Sequence, residues 1–428
     1  MPVPARPPAR ALALAAAALS LTLAAPAQAA APAASPATSP ATSPARTLHV
    51  DALRWVGGRP QVETRTATGQ AAAARLVRTL DADPAVSDAQ VRTTYQLTPT
   101  GSTGLPTRRL LATDPYLRYA YHLTAVDAYA AWSTTRGAGT KVAVLDSGVD
   151  GTQPDLVGRV QQIGNFTTES DAIVVDHGTE VATVVAGAYG NGVGSAGVAP
   201  DVTILAGKVC EQSGCSSDAI VAGITAAVKA GANVVNLSLG GPDYNRTIAA
   251  AVDWATAQGV VVVASAGNSG DQGNPVEYPA AYPGVVSVSA STTAGAAAAW
   301  AQHNASVDLS APGEAIPAGA PGKSGSYAYL SVSGTSFSAP QVSAAAALLH
   351  TVAPRADVAT VTGWLTGTVA KKAWPDGYGA GMLDVAAAVK AAQAAQTAPP
   401  PSTGTSSGTA TVPRVRRPLR PVPVVTTS

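Results

Sequence analysis

The sequence predicts an α/β fold in which helices cover both faces of a central parallel sheet. Short runs of Val, Ile and Ala recur from about residue 114 to residue 395, for example KVAVLDSGV at 141–149 and GVVVVASAGN at 259–268. Helical stretches such as SDAIVAGITAAVKAG at 217–231 separate these runs. Continuous apolar strands that alternate with helices are typical of parallel sheets buried on both faces. In such sheets the reactive groups sit at the carboxyl ends of the strands.

Composition narrows the possible function. The chain has 428 residues, enough for two or three domains, and 46% of them are apolar, which allows a large core. Only 12% are charged and the formal net charge is +1. A balance this close to neutral gives no reason to propose nucleic acid or an acidic polymer as a partner.

The first residues predict an export signal. Arg6 and Arg10 precede a short apolar run at 11–25, and Ala27-Gln28-Ala29 supplies a small-x-small cleavage signal. The run is shorter than the roughly 20 residues that a membrane span needs. We therefore expect residues 1–29 to be a signal peptide and the protein to be secreted, extracellular and not stably inserted in a membrane. An uncleaved anchor is the alternative.

Composition divides the rest of the chain. Residues 30–46 are rich in Ala, Pro, Ser and Thr and predict a low-complexity linker. Residues 47–100 predict a small α+β unit, with strands at LHVDALRW and VRTTYQL and a helix at AAAARLVRTLDAD. Residues 396–428 are Pro-rich and basic and predict a disordered tail. We favour a solubilising role for this tail over contact between its arginines and an anionic wall.

The only two cysteines, Cys210 and Cys215, lie five positions apart. In an oxidising compartment this spacing suits a small disulfide loop, and two buried free thiols are the alternative. A single pair cannot form a four-ligand zinc site.

Two residues suggest a base and its orienting acid. His177 stands in Asp176-His177-Gly178-Thr179, directly before an apolar helix, where the positive end of the helix dipole favours a neutral imidazole. Asp146 ends an apolar strand, where a buried carboxylate needs a partner such as the Nδ1–H of a histidine. The alternatives are a structural histidine and a turn aspartate. An aspartic-protease dyad would need a second Asp-Ser/Thr-Gly after an apolar strand, and the sequence has none.

Two further residues suggest a nucleophile and an oxyanion donor. Ser336 lies in Gly334-Thr335-Ser336-Phe337, a glycine turn that enters a helix, where backbone N–H groups suit a developing oxyanion. Asn268 follows the most apolar strand and carries an amide that can donate to the same oxyanion. Taken singly, Ser336 is better explained as an N-cap serine, and a turn asparagine is the alternative for Asn268.

Taken together, these segments and their order resemble the subtilisin-like proteases, the subtilase family. The matching segments are Val144–Val149, His177–Thr179, Asn236–Gly241, Ala266–Asn268 and Gly334–Pro340, within roughly residues 114–395. The resemblance implies a three-layer fold and a serine endopeptidase that needs no cofactor for catalysis. It assigns Ser336 as the nucleophile, His177 as the general base and acid, Asp146 as the residue that orients His177, and Asn268 as part of the oxyanion hole.

The sequence departs from the usual family pattern at two positions. Glu180 stands where the family usually has a second histidine, and Phe337 stands where methionine is more usual. Both positions support packing or tuning rather than chemistry, so we expect activity to survive.

The resemblance implies further sites. Extended peptide should pair with the edge Ser238-Leu239-Gly240 and lie near Ala266 and Gly267. Glu277 should form the floor of the pocket for the residue before the scissile bond and favour Lys or Arg there. The alternatives are a Glu277 that points to solvent and a family alignment that is displaced here by one residue. Asp155 and Asn191 resemble part of a structural calcium site, and their oxygens suit that ion.

The family resemblance also implies a zymogen. Residues 47–109 would be a propeptide that acts as chaperone and inhibitor of the peptidase domain at 110–395. The linker Thr107-Arg108-Arg109-Leu110 offers a basic site, so we expect self-cleavage after Arg108 or Arg109. A catalytically silent binding protein with the same fold is the alternative function, and the presence of all three triad residues argues against it. A lipase or esterase is disfavoured, because those enzymes usually place the serine in Gly-x-Ser-x-Gly and follow the order Ser, Asp, His. Here the order is Asp, His, Ser.

Overall fold

The structure is a computed structural model that describes residues 46–97, 99–105, 114–170, 176–322, 327–370 and 374–397. The expected signal peptide, nearly all of the 30–46 linker, the basic site at Arg108 and Arg109, and the tail beyond residue 397 lie outside the described residues. Those expectations stay predictions.

A seven-stranded parallel sheet forms the centre of the described part. Its strands lie in the order β15-β14-β13-β11-β6-β8-β7. Their bounds are β6 Lys141–Asp146, β7 Val160–Asn165, β8 Thr203–Lys208, β11 Val234–Leu237, β13 Val261–Ser265, β14 Val285–Ser291 and β15 Leu309–Pro312.

Both faces of this sheet are buried because successive side chains of a strand point to opposite faces. In β6, Val142 and Val144 enter one hydrophobic core, whereas Ala143 and Leu145 enter another. One core is closed by α4 Asp176–Ala186, α7 Thr335–Val352, α8 Val358–Gly367 and α9 Val385–Thr397, and the other by α5 Ser217–Lys229 and α6 Arg246–Ala257. The predicted three-layer α/β fold is therefore confirmed.

A small α+β unit precedes this fold. Its antiparallel sheet has the order β2-β1-β3, and the strands are β1 Thr47–Val56, β2 Arg59–Thr68 and β3 Asp88–Val91. The helix α1 Gln70–Asp81 covers one face through a small core that includes Ala52, Ala73 and Leu80. The other face packs on α5 and α6, and Leu53 joins the core beneath them. The unit thus uses the larger fold to bury its second face.

The strand β2 is not anticipated by the sequence pattern because its residues are mostly polar. Its place is set by the turn before it, in which Gly57 and Gly58 both have positive φ, 58° and 74°. Two such residues form the tight turn that suits the twist of a hairpin.

Shorter elements complete the described fold. Two helices, α2 Tyr121–Ala125 and α3 Ala128–Ala131, lead into β6. Two small sheets have the orders β12-β4-β10-β9 and β16-β17-β5. Their strands are β4 Thr94–Leu97, β5 Gly101–Gly104, β9 Cys210–Glu211, β10 Gly214–Ser216, β12 Leu239–Gly240, β16 Ile316–Gly319 and β17 Tyr329–Ser333. In the part of the chain that is described, no helix combines the length and the apolar character needed to cross a bilayer.

Candidate active site

Three candidate residues follow neighbouring strands at the middle of the sheet. Asp146 ends β6, Ser238 follows β11, and Asn268 lies three residues after β13. These strands are adjacent and parallel, so their carboxyl ends meet at one edge of the sheet. The fold therefore gathers residues that are far apart in the sequence.

Asp146 and His177 form a buried pair. The Nδ1 atom of His177 lies 2.9 Å from Oδ1 and 3.1 Å from Oδ2 of Asp146. Asp146 is fully buried and His177 is 4% exposed. A carboxylate at Nδ1 holds the imidazole in the tautomer that leaves Nε2 able to accept a proton. The pair predicted from sequence thus lies in contact.

Within the described chain, the second ring nitrogen of His177 makes no hydrogen bond that would compete with catalysis. His177 Nε2 is buried and has no hydrogen-bond partner among the described residues. Burial disfavours the imidazolium, but the charge and hydrogen bond of Asp146, together with the charge of Glu180, raise the pKa of His177 above its ordinary value. Burial raises the pKa of Glu180 itself to about 7. His177 is therefore a base whose strength is set by two neighbouring carboxyl groups.

A glycine permits the close approach of the helix α4 to the end of β6. A Cβ atom at Gly178 would collide with the carbonyl oxygen of Gly148 and lie 3.2 Å from Oδ1 of Asp146. The Gly178 N–H donates to Ser147 Oγ at 3.0 Å, and the Ser147 N–H donates to Asp146 Oδ1 at 2.7 Å. These contacts fix His177 against Asp146.

Ser336 is the second residue of α7 and is fully buried. The first four N–H groups of an α-helix point out of its start rather than to a carbonyl of the same helix. Pro340 lies four residues later and has no N–H to donate to the Ser336 carbonyl oxygen. That oxygen instead accepts a hydrogen bond from Ser238 Oγ at 2.8 Å, and Ser336 Oγ donates to the Ser238 carbonyl oxygen at 3.2 Å. Ser238 thus holds the candidate nucleophile from the side of the sheet.

Phe337 brings the start of α7 to the imidazole. Its ring centroid lies 5.6 Å from that of His177, with an interplanar angle of 54°. Phe337 follows Ser336 directly and is fully buried. The departure from methionine thus fills the space beside the His177 ring, in agreement with the packing role that we expect.

Thr335 orients the amide of Asn268. The backbone N–H and the hydroxyl of Thr335 both donate to Asn268 Oδ1, each at 2.9 Å. Since the oxygen of the planar amide is held on this side, Nδ2 faces the other way. This is the orientation in which Asn268 can donate to an oxyanion beside Ser336. Sequence reasoning missed Thr335, although its hydroxyl next to the candidate nucleophile was a usable signal.

Glu277 lies between two glycines that sequence analysis placed in the substrate cleft. Its Oε2 atom would be 2.6 Å from a Cβ atom at Gly240 and 2.6 Å from one at Gly267. Any side chain at either position would therefore displace this carboxylate. Its Oε1 atom accepts a hydrogen bond from Gln302 Nε2 at 2.7 Å.

Gln302 is a residue of this site that sequence reasoning missed. It is fully buried, and its Oε1 atom accepts a hydrogen bond from the Ser269 N–H at 2.7 Å. It therefore holds Glu277 beside Gly240 and Gly267. No local pattern marks Gln302, because it lies 25 positions after Glu277.

The predicted binding edge carries β4, the strand that follows the small α+β unit. Leu97 pairs with Leu239 and Gln96 with Gly240, antiparallel. The other edge of β4 pairs with β10, Tyr95 opposite Cys215. The cleft between β12 and β10 thus holds an extended strand. Ala266 is buried and uses its N–H within the sheet, donating to Val288 at 2.9 Å.

The two cysteines form the predicted disulfide, with an S–S distance of 2.06 Å. It joins β9 to β10 and therefore braces the hairpin that forms one wall of this cleft.

Asp155 and Asn191 lie in contact, but they do not present a cage of oxygens. Asn191 Nδ2 donates to Asp155 Oδ1 at 2.9 Å, and Asn191 Oδ1 accepts from the Val193 N–H at 3.0 Å. Asp155 Oδ2 accepts from the Ser195 N–H at 3.1 Å. Within the described ranges, no group of three or more His, Cys, Asp or Glu residues is arranged to hold a metal ion. In this arrangement Asn191 turns its amide nitrogen rather than its oxygen toward Asp155. No step is assigned to a metal, and the calcium site stays a prediction.

Comparison with known proteins finds related sequences over most of the larger fold. A family model described as the subtilase family matches residues 137–381. Subtilisin DY from Bacillus licheniformis is 37% identical over 260 residues, which cover 60% of this chain and 92% of that protein. Thermitase from Thermoactinomyces vulgaris is 36% identical over 241 residues, 55% of this chain and 84% of that protein.

A solved structure shows the same similarity in three dimensions. Fervidolysin from Fervidobacterium pennivorans, a keratinolytic enzyme related to subtilisin, superimposes with a TM-score of 0.63 and 25% sequence identity. The superposition covers 82% of this chain and 62% of that one.

Proposed function

Since a family model matches more than half of it, this chain belongs to the subtilase family and is a serine endopeptidase, and we propose that Ser336, His177 and Asp146 carry out its reaction. The observation that carries this proposal is the buried Asp146–His177 pair, whose imidazole ring packs against Phe337, the residue that follows Ser336.

The reaction proceeds through an acyl-enzyme. His177 Nε2 takes the proton of Ser336 Oγ while this oxygen attacks the carbonyl carbon of the scissile bond. Asn268 Nδ2 and the Ser336 N–H donate to the oxyanion that forms. The C–N bond then breaks, and His177 gives its proton to the leaving amine. Water repeats the sequence on the ester and releases the acid, while Asp146 stabilises the imidazolium in both halves.

Covalent labelling tests this assignment. A serine-directed phosphonate should modify the matured enzyme once, and mass spectrometry of its peptides should place the label on Ser336. Asp146→Asn should label far more slowly, because the attack needs His177 as a base. A label on another serine, or none on an enzyme with intact fold, would reject the assignment and favour a silent binding protein.

The cleft between β12 and β10 is the proposed place for an extended substrate. Its two edges can pair with a peptide strand from both sides, in the way that they pair with β4. Main-chain hydrogen bonds give affinity there, and specificity comes from side-chain pockets.

Glu277 is proposed to select Lys or Arg before the scissile bond. Its carboxylate is half-buried, lies against Gly240 and Gly267, and is held by Gln302. Two unit charges 4 Å apart attract by about 4 kcal/mol at an effective dielectric near 20, before desolvation is subtracted. A net gain of even a third of this value is a tenfold preference.

Glu277→Ala should lower kcat/KM for peptides with Arg before the scissile bond by about 10- to 100-fold, with little loss for Phe peptides. Burial raises the pKa of Glu277. The wild-type Arg-over-Phe ratio should therefore fall as pH falls through that pKa, because a neutral carboxyl no longer attracts the cation. Asp271→Ala, an exposed carboxylate of the same loop, is the matched control. An unchanged Arg-over-Phe ratio in Glu277→Ala would remove Glu277 from the pocket.

We also propose that the enzyme is exported as a zymogen and that residues 47–109 inhibit it. The occupied cleft supports inhibition, and the disulfide suits an oxidising compartment.

A further inference from the structure

The side chain of Gln302 contacts both the residue proposed for the pocket floor and the loop that carries Asn268. Its Nε2 atom donates to Glu277 Oε1 at 2.7 Å, and its Oε1 atom accepts from the Ser269 N–H at 2.7 Å. Gln302 is fully buried, so water does not compete for these two contacts. One side chain thus joins two groups with different tasks in the proposed reaction, the selection of substrate and the stabilisation of the oxyanion.

The two contacts of Gln302 depend on each other because the two ends of its amide differ chemically. The Ser269 N–H can only donate, so it requires the oxygen of the amide on its side. The nitrogen of the planar amide then faces Glu277, whose ionised carboxylate can only accept. Both partners therefore select the same orientation of the Gln302 amide.

The main chain of Gln302 is fixed to the same loop. Its N–H donates to the Gly267 carbonyl oxygen at 3.1 Å, and its carbonyl oxygen accepts from Ser289 Oγ at 2.7 Å. Gly267 and Ser269 are the neighbours of Asn268 on either side. Gln302 therefore holds the loop both before and after the candidate oxyanion donor.

The space over Gly267 keeps these groups together. A Cβ atom at this position would lie 2.5 Å from Gln302 Nε2 and 2.6 Å from Glu277 Oε2. Gly267 also has a φ of 111°, a value that favours glycine. Because the amide and the carboxylate both fill the space over this one residue, the loop, Gln302 and Glu277 pack as one unit.

The contact with Gln302 also bears on the charge of Glu277. Burial raises the pKa of Glu277, and the hydrogen bond from Gln302 opposes this shift. Without that donor, Glu277 should keep its proton up to a higher pH. Since only the ionised carboxyl attracts a cation, loss of the amide should weaken the selection of Lys or Arg.

We infer that Gln302 is a positioning residue shared by selectivity and turnover, because it holds Glu277 at the pocket floor and the loop of Asn268 at the oxyanion. This inference rests on the proposed function, since it requires Glu277 in the pocket and Asn268 as an oxyanion donor. It goes beyond that function by making both properties depend on one buried amide.

Gln302→Met tests the inference on the matured enzyme, because it nearly keeps the volume of the side chain and removes both of its hydrogen bonds. The ratio of kcat/KM for Arg over Phe peptides should fall about tenfold, since a hydrogen bond to a charged group is lost. The kcat for the Phe peptide should fall about three- to tenfold, since the loop of Asn268 loses one support. The pH below which the Arg-over-Phe ratio declines should rise.

Gln153→Met is the matched control for the loss of a buried amide. Gln153 is also fully buried, and its Oε1 atom accepts from the Asp155 N–H at 2.7 Å. This variant should lose stability but keep the wild-type Arg-over-Phe ratio. Titration of active sites with the phosphonate gives the concentration of folded enzyme for each variant. If Gln302→Met yields none, Gln302→Asn takes its place, because its amide is one methylene too short to make both contacts and should cause the same two losses.

Double-mutant cycles separate positioning from general damage. In the Glu277→Ala background, Gln302→Met should cause no further loss of the Arg-over-Phe ratio, because the residue that it positions is already absent. In the Asn268→Ala background, it should cause little further loss of kcat for the Phe peptide. Additive losses in either cycle, or an unchanged ratio or kcat in Gln302→Met, would overturn the inference alone. A ratio that Glu277→Ala itself leaves unchanged would instead refute the proposed pocket, and the inference with it.

Discussion

Ser336→Ala should lower kcat for peptide hydrolysis by about 10⁶-fold and leave KM close to the wild-type value. The hydroxyl is the only group that the proposed mechanism converts into an ester, whereas peptide binding relies on the edges β12 and β10. Each variant is matured with a trace of wild-type enzyme, which is then inactivated with the phosphonate. Initial rates on a fluorogenic Arg peptide give both constants.

Ser338→Ala is the matched control for this prediction. Ser338 is fully buried in the same turn of α7, but its hydroxyl donates to the carbonyl oxygens of Ala311 and Pro312. Its loss should affect stability rather than kcat. If Ser338→Ala and Ser336→Ala lost similar activity, or if Ser336→Ala kept more than a hundredth of it, Ser336 would not be the nucleophile.

Asp146→Asn should lower kcat by about 10⁴-fold with little effect on the fold. An amide at this position can donate to Nδ1 of His177, which then carries its proton on Nε2 and cannot accept one from Ser336. The loss is smaller than for Ser336→Ala because the nucleophile itself remains in place. Steady-state kinetics on the matured enzyme measure it, and a loss below tenfold would contradict the role of Asp146.

The pH profile of the same variant provides a second, independent result. In the wild type, burial lowers the pKa of His177, but Asp146 and Glu180 together raise it above its ordinary value. Activity should therefore appear as pH rises through this raised pKa, since only the neutral imidazole is a base. Without the charge of Asp146, the pKa of His177 should fall, because the lowering effect of burial is then opposed only by Glu180. The acid limb of kcat/KM should therefore move to lower pH.

Glu180→Gln is the control for that shift. It removes the weaker of the two charges and should move the acid limb in the same direction by a smaller amount, with kcat largely kept. An acid limb that stays in place in Asp146→Asn would show that a group other than His177 controls it.

Much of the fold was predictable because its signals are local. The alternation of apolar strands with helices within 141–291 predicts a buried parallel sheet, and the strands lie where those runs occur. The strand β2 was not predictable in this way, because it is polar and is placed by Gly57-Gly58 and by packing on α5 and α6.

The reacting residues of the candidate site were predictable from the sequence, but the residues that hold them in place were not. Asp146, His177, Asn268 and Ser336 each follow a strand or begin a helix, and such places are visible in the sequence. Thr335, Gln302 and the hydroxyl of Ser238 hold these groups through hydrogen bonds across the fold. Ser238 lies 98 positions from Ser336, and no period or motif connects two residues at that separation.

The sequence by itself determined the fold class, the order of the elements and the identity of the reacting groups, because hydrophobic period and turn chemistry act over a few residues. Only the tertiary structure decided which groups meet. It set Glu277 against Gly240 and Gly267, and it paired β4 with β12. Strand pairing between distant segments has a register that depends on every neighbouring contact at once. For this reason the sequence pointed to Arg108 and Arg109, whereas the fold paired Leu97 with Leu239, next to Ser238.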